Sequence, residues 1–321
     1  MKNVAILYGG FSSEFEISKK SAEVIYKHAP SGFSFFLVEV TENGWTVKKE
    51  NESALVNLDN LTFTWKGERI SIDIAHVYIH GNPGENGKIQ AFLDMKNIPY
   101  INSSALSSEL SFDKWFCNQF LKGLGFSVAK SILLTENKLD ARVAVETLKL
   151  PLFVKPTDSG SSYGISKVKK ENELENAVNL AFKEGNTVVL ESFLAGREFT
   201  CAVYQDKNGI HALPITEIIC ASEFFDFEAK YSGETKEITP AELDAQLTLK
   251  IQNISKKVYQ TLQLNSIARV DFMLCDEEPF IIEVNTTPGF TEASLVPQML
   301  EVAGIEIQTF WKNIYTYALN L

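Results

Sequence analysis

Within its first hundred residues the chain switches repeatedly between strand-type and helix-type hydrophobic patterns. VAILY (residues 4–8) reads as a strand, and Ser13-Glu14-Phe15-Glu16 fits a capping box opening a helix that runs to about His28. SFFLVEV is a second strand and IDIAHVYIH a longer one, followed by a helix in NGKIQAFLDMKN and a strand in IPYIN. Such alternation predicts a parallel, doubly wound α/β unit, because parallel neighbours need helical crossovers. Ligands of such units gather at the carboxyl ends of the strands, where Gly9-Gly10 and His80-Gly81 stand.

The pattern then changes. SALSSELSFDKWFCNQFLKGLG reads as one long helical stretch, NKLDARVAVETLKL as another helix, and LPLFVKP as a short strand. After the loop TDSGSSYG come strand ISKV and helix NELENAVNLAFKEG. From about residue 187 strands dominate, in TVVLESFL, REFTCAVYQ and HALPITEII, with a helix in AELDAQLTLKIQNISKKVYQTL. The expected units are therefore 1–102, 103–187 and 188–321.

Composition narrows the function classes. A formal charge of −11 argues against a nucleic-acid partner, which would need Lys and Arg clusters to meet phosphates. Cys117, Cys201, Cys220 and Cys275 show no CxxC spacing and the histidines form no HExxH, so structural zinc, zinc hydrolysis and a disulfide framework are not expected. No segment has the length of a membrane span or the form of a signal peptide, which makes a cytoplasmic protein the expectation.

Three stretches carry chemistry. In ARVDFML and PFIIEVN, Asp271, Glu283 and Asn285 sit in apolar strand context. Strand alternation puts Glu283 and Asn285 on one face and Ile282 and Val284 on the other. Read in isolation this could be an exposed edge strand. Apolar residues on both faces favour burial instead, and an all-oxygen donor set suits Mg²⁺. In TDSGSSYG, Gly160 and Gly164 permit a tight backbone that can cradle an anion, with Ser161 and Ser162 as hydroxyl donors; an ordinary connection is the alternative. Lys155 ends an apolar strand just before it, as a phosphate contact or a side chain snorkelling to solvent. Glu191 follows the apolar strand of VVLESFL, poised to accept from a ribose hydroxyl or an amino group, or simply exposed. A Mg²⁺ with few protein ligands takes phosphate oxygens into its shell, so the combination points to a nucleotide-using enzyme.

LYGGFSSEFEIS, HGNPGENGKIQ, ELSFDK, VKPTDSGSSYGISKV, VVLESFLAGREFT, FFDFEAKY, ARVDFML and IIEVNTTPGFTEASLVP stand in this order along nearly the whole chain. In these stretches the sequence resembles the D-alanine–D-alanine ligases of the ATP-grasp superfamily. The resemblance implies three α/β domains in an ATP-grasp architecture, with ATP between two sheets. It implies that Lys114 and Lys155 contact the nucleotide phosphates, with Ser161 and Ser162, and that Lys230 reaches the γ-phosphate. Glu191, Phe193, Leu194 and Glu198 would form the adenine and ribose site, and Asp271, Glu283 and Asn285 would hold two Mg²⁺ ions, with Mn²⁺ able to substitute. Glu14 would hold the ammonium of a first D-alanine, oriented with Ser161 and Tyr231, near His80 and Glu85. Arg269 and the Gly289 N–H would serve as oxyanion donors, and Ser294, with the backbone near Leu295, would receive the second substrate's carboxylate. The implied partners are D-alanine and ATP, and a second copy in a homodimer.

Each residue also has a plainer reading: Glu14 as a first-turn helix carboxylate, Lys114 as a solvated helix lysine, His80 as a satisfied strand-end histidine, Arg269 as a structural ion-pair partner, and Tyr231 and Ser294 as loop and cap residues. Four positions depart from the family pattern: Phe15 where a basic residue is common, Asn86 where aspartate is usual, and Ser159 and Tyr163 in the loop. Three functions follow. The first is a ligase making D-alanyl-D-alanine for peptidoglycan precursors. The second is a relative making D-alanyl-D-lactate or D-alanyl-D-serine, with Tyr231 favouring a dipeptide over the lactate ester. The third is an inactive nucleotide-binding regulator, which the intact Lys155, Arg269, Asp271, Glu283 and Asn285 set argues against.

Overall fold

The apolar run after Met1 becomes β1 (Lys2–Gly9), an interior strand buried from Val4 to Gly9. The computed structural model in which it is seen describes residues 1–49, 52–160, 163–220 and 235–320. After β1 come α1 (Phe15–Lys27), β2 (Phe33–Thr41), β3 (Gly44–Lys49) and β4 (Glu52–Leu55). A separate hairpin of β5 (Thr62–Trp65) and β6 (Glu68–Ser71) precedes β7 (Ile74–Val77), α2 (Lys88–Met95) and β8 (Tyr100–Ile101). The strand order is β4-β3-β2-β1-β7-β8, with β2, β1, β7 and β8 parallel and β3 and β4 an antiparallel extension. Alternation in VAILY gives both faces a core: Val4, Ile6 and Tyr8 meet α1, whereas Ala5 and Leu7 pack with Ile89 and Leu93 of α2.

Two local expectations are corrected here. The long strand in IDIAHVYIH leaves the ladder after Val77. The helix of residues 13–28 begins at Phe15 with Glu14 as the preceding residue, which makes no side-chain cap. Ser12 shapes this start instead, accepting from the Glu14 N–H (3.3 Å) while donating to the His80 carbonyl (2.9 Å).

The expected single helix of residues 104–125 is two: α3 (Ala105–Phe112) and α4 (Lys114–Gly123). Asp113 between them is extended, and its carboxylate accepts from the Phe116 N–H at 2.8 Å. An aspartate cap here outcompetes continued helix, because it satisfies a donor at the new N-terminus. Then follow β9 (Ser131–Leu134), α5 (Ala141–Leu148), β10 (Leu152–Pro156), β11 (Ser166–Val168), α6 (Leu174–Glu184) and β12 (Val188–Ser192). The strands form an antiparallel sheet in the order β11-β10-β12-β9, packed on α5 and α6 through Leu148, Leu152, Val154, Val178 and Leu190.

The third sheet is built from β13 (Arg197–Asp206), β14 (Gly209–Ala212), β15 (Thr216–Cys220), β16 (Thr235–Ile238), β17 (Ile267–Cys275) and β18 (Glu278–Asn285), in the order β16-β15-β13-β17-β18 with β14 beside β13. α7 (Ala245–Thr261) lies before β17; it starts four residues later than expected, where Asp244 accepts from the Leu247 N–H at 2.8 Å. β17 and β18 are joined by Asp276-Glu277, whose φ of 48° and 63° suits the tight turn of a hairpin. A bulge shifts their register between Asp271 and Phe272. It places Ile281 with Val284 in the core, while Ile282 lines a cleft, so the expected Ile282–Val284 face does not form as read. β18 is indeed an edge strand but not an exposed one: the Ile281 N–H donates to the Ser127 carbonyl, and α3 and α4 pack over it.

The chain ends with α8 (Leu295–Val302) and α9 (Ile307–Ala318). Both return to the first sheet, where Phe290, Met299, Phe310, Trp311, Ile314 and Tyr315 share a core with Val4, Ile6, Tyr78 and Ile101. Trp311 is fully buried, its ring centre 4.8 Å from that of His76 and 4.9 Å from those of Phe290 and Phe310. We expect Trp311→Ala to lower stability by about 3–5 kcal/mol in urea unfolding, as large buried aromatics do. A loss under about 1 kcal/mol would mean that α9 is not integral to the first unit.

Candidate functional site

The carboxyl ends of β1 and β7, the loop after β10 and the hairpin β17–β18 converge on a cavity of about 280 Å³. Glu14, His80 and Glu85 line it, together with Lys114, Ser159 and Gly160. Arg269, Glu283, Asn285, Gly289, Ser294 and Leu295 complete it. Side chains far apart in sequence are thus brought together.

Glu14 sits at the start of α1 between two loops. A Cβ at Gly160 would stand 2.5 Å from Glu14 Oε2, and one at Gly81, where φ is +66°, would stand 2.9 Å from Ser12. Glycine at 160 leaves the Glu14 carboxylate its present place, and glycine at 81 suits both the positive φ and the close approach of Ser12. Glu85 is buried, and one of its oxygens accepts from the Gly81 N–H at 2.7 Å. Burial first, and then the charge of Glu14, pushes the Glu85 carboxyl up to about 8, so it carries its proton at neutral pH. Burial likewise lowers His80, against the pull of Glu14, and its Nε2 lies 3.4 Å from Ser21 Oγ.

The register of β17 and β18 pairs Arg269 with Asn285 and Asp271 with Glu283. Arg269 grips Asp271 with two hydrogen bonds, Nε to Oδ1 at 2.8 Å and Nη2 to Oδ2 at 2.7 Å. Burial alone would weaken the guanidinium's hold on its proton, but the Asp271 carboxylate outweighs that and raises it. Asn285 Nδ2 lies 3.0 Å from Asp271 Oδ2 and 3.4 Å from Glu283 Oε1, so the three oxygen-bearing side chains meet at one point. Thr200 donates its hydroxyl to Asp271 from the neighbouring β13. Arg269 thus fulfils its plainer reading, as Asp271's ion-pair partner, while also lining the cavity.

Lys155 does not snorkel and Glu191 is not exposed: they form a buried ion pair at 2.7 Å. They line a second, smaller cavity of about 50 Å³ with Leu194, Phe153, Ile282 and Asn118. Asn118 Nδ2 donates to Glu191 Oε1 at 3.2 Å, bracing its other oxygen. Lys114, the first residue of α4, donates Nζ to the Ser159 carbonyl at 2.6 Å rather than ending in solvent. Phe193 and Glu198 line neither cavity; Phe193 tilts against Phe153 and receives Lys167 Nζ at 4.1 Å from its ring centre. Ser294 Oγ accepts from the Thr291 N–H at 2.9 Å and lies where a Cβ on Gly289 would come within 3.0 Å. Ser161, Ser162, Lys230 and Tyr231 lie outside the described residues.

Sequence reading missed Asn118 and Thr200. Asn118 stands four residues after Lys114, one helical turn on, and Thr200 two after Glu198 on a strand. Those spacings put each on the face of a residue already singled out.

Two family models match the chain, described as D-ala D-ala ligase N-terminus over residues 3–103 and D-ala D-ala ligase C-terminus over 120–316. A D-alanine–D-alanine ligase of Azobacteroides pseudotrichonymphae is 43% identical, across 98% of this chain and 99% of its own. The crystal structure of the VanG D-Ala:D-Ser ligase from Enterococcus faecalis superposes with a TM-score of 0.88 at 29% identity, over 99% of both chains. That of D-alanine–D-alanine ligase from Bacillus anthracis complexed with ATP gives a TM-score of 0.80 at 28% identity, over 100% of this chain and 98% of that one.

The raised Glu85 carboxyl has a consequence for stability. The unfolded chain loses this proton near the ordinary carboxylate value, whereas the folded chain keeps it to about pH 8. Stability from this group is therefore full at acid pH and is lost as pH rises towards 8. Glu85→Gln should gain stability relative to the parent between about pH 5 and 8, read as diverging urea midpoints. Parallel midpoints across that range would refute a raised Glu85.

Proposed function

The chain belongs to the D-alanine–D-alanine ligase family, and on that premise we propose that it joins two D-alanine molecules, at the expense of ATP, into D-alanyl-D-alanine for peptidoglycan precursors. The observation that carries the reading is the convergence of Glu14, Arg269, Glu283, Asn285 and Gly289 on one cavity, beside the Lys155–Glu191 pair. In the first step a D-alanine carboxylate attacks the γ-phosphorus of ATP, giving D-alanyl phosphate and ADP. In the second the amine of another D-alanine attacks the acyl carbon, and phosphate leaves from the tetrahedral intermediate.

Glu14 takes the ammonium group of the first D-alanine, with His80 and Glu85 behind it and Ser161 and Tyr231 as its partners. A protonated Glu85 adds no negative charge to this end of the cavity at neutral pH. Lys155 and Lys114 offset charge on the nucleotide phosphates, with Lys230, Ser161 and Ser162. Lys114 does so from the N-terminus of α4, where the helix dipole also favours an anion. Glu191, held by Lys155 and Asn118, accepts from the base, with Leu194 beside it; Phe193 and Glu198, which line neither cavity, are assigned to the adenine and ribose by the resemblance alone. Arg269, fixed by Asp271, and the Gly289 N–H donate to the oxygen that becomes anionic in the second step. Ser294 and the backbone near Leu295, at the start of α8, receive the second carboxylate.

The Asp271, Glu283 and Asn285 set fits a hard cation: two carboxylates and an amide within hydrogen-bonding reach of one another, without nitrogen or sulfur donors. Two Mg²⁺ ions held there, or Mn²⁺ in their place, would supply Lewis-acid neutralisation of the transferring phosphoryl oxygens. Asn285 now turns its Nδ2 to both carboxylates, and its amide oxygen is the group a cation would use.

The reading extends to a cytoplasmic enzyme, where ATP is at hand, and to a homodimer divided into units near residues 102 and 187. No described helix is long and apolar enough to cross a membrane, which agrees with that compartment. Sedimentation velocity tests the dimer. A second reading, D-alanyl-D-serine synthesis, is favoured by the likeness to the D-Ala:D-Ser ligase.

Incubation with ATP, Mg²⁺ and D-alanine, alone or with D-serine or D-lactate, followed by mass analysis, separates the readings. D-Alanyl-D-alanine and ADP are expected; absence of ADP release would refute the ligase and favour a regulator, and a dominant mixed product would promote the second reading. Glu283→Gln should cut turnover by orders of magnitude with an unchanged unfolding midpoint, and persisting activity would remove Glu283 from the cation set.

A further inference from the structure

His76, Tyr78 and His80 alternate along IDIAHVYIH, and the first two look away from their own unit towards the end of the chain. His76 Nδ1 meets the Tyr315 hydroxyl at 2.9 Å, and the Tyr78 hydroxyl donates to the Pro288 carbonyl at 2.7 Å. Two more contacts fix the same turn: Asn102 Nδ2 donates to Thr287 Oγ1 at 3.0 Å, and the Phe290 N–H donates to Ser21 Oγ at 3.1 Å. Residues 287–290 are thus pinned at three points by side chains of the first unit. Between those pins lies Gly289, on the wall of the larger cavity.

The Pro288 carbonyl and the Gly289 N–H belong to one planar peptide. A hydrogen bond accepted by the carbonyl therefore both fixes the plane and draws electron density from the N–H, making it a stronger donor. We propose that Tyr78 is a positioning residue for the acyl-transfer step, its hydroxyl orienting and polarising the Pro288–Gly289 peptide whose N–H meets the developing oxyanion. This rests on the ligase reading of Gly289. Tyr78 suits the task. It is 2% exposed, and its ring is locked edge-on against His76, Phe290 and Trp311. Burial, and then the neighbouring Glu85, hold the phenol protonated well above its ordinary range, so it donates throughout any working pH.

Tyr78→Phe removes the hydroxyl and keeps the ring. Tyr315→Phe is its control, deleting a buried hydroxyl on the same seam, from the contact to His76. Both should fold and lose a similar few degrees of melting temperature. Tyr78→Phe should lower kcat by about tenfold, a fraction of the ~100-fold or more that loss of an entire oxyanion donor costs. KM for ATP and for D-alanine should stay within about twofold, because the hydroxyl touches neither substrate. In a single turnover ADP should appear at the parent rate and dipeptide more slowly, whereas Tyr315→Phe should match the parent in both. The inference is overturned if Tyr78→Phe keeps the parent kcat, loses no more than Tyr315→Phe, or raises the D-alanine KM in place of lowering kcat. A parent enzyme that releases no ADP with D-alanine overturns the ligase reading itself.

Discussion

Antiparallel pairing of β17 with β18 sets one guanidinium, two carboxylates and an amide on a single patch of sheet. Arg269 spends two donors on Asp271, and Glu283 stands beside that pair on the cavity wall. A hard cation would be drawn to these oxygens, and the charge of Glu283 reaches Glu85, which takes a proton in response to burial, Glu14 and Glu283. The bulge opposite Asp271 matters equally, because it turns Ile282 out to the smaller cavity while Ile281 and Val284 stay in the core.

The site also depends on how the chain closes on itself. The first sheet takes part of its core from Phe290, Phe310, Trp311 and Tyr315, so the walls bearing Glu14 and Gly289 are held by one aromatic cluster. Side-chain hydrogen bonds at Tyr78, Asn102 and Ser21 then fix the register of residues 287–290 over the cavity. Packed interiors transmit displacement rather than absorb it, so losing a whole ring from this cluster, unlike losing one buried hydroxyl, is felt at the reacting centre.

Much of this was legible before any coordinates. The apolar run VAILY read as a strand, and it is one with both faces buried; the lysine ending LPLFVK read as a phosphate contact or a snorkelling side chain, and the structure pairs it with Glu191. The resemblance supplied residue assignments that composition and spacing did not: read alone, Lys114 is an ordinary helix lysine, and only Ser159's carbonyl at 2.6 Å gives it a setting. Other features were hidden for definite reasons. The break at Asp113 was masked by helical periodicity on both sides, although the aspartate that caps α4 was in view. The bulge leaves no signature, since one extra residue in an apolar run changes neither composition nor length noticeably. Asn118 and Thr200 act through partners 73 and 71 residues away, which local pattern does not report.

Taken alone, the sequence determined the α/β class, the strands carrying Asp271, Glu283 and Asn285, and the family. The first two rest on local periods, written within a few residues of one another, and the last on the order of motifs along the chain. Only the tertiary structure decided that Arg269 spends two donors on Asp271, that Glu85 holds a proton, and that Tyr78 reaches across 210 residues to the Pro288 carbonyl. Those outcomes depend on burial and on which side chains meet across separate elements, and both exist only once the chain has packed.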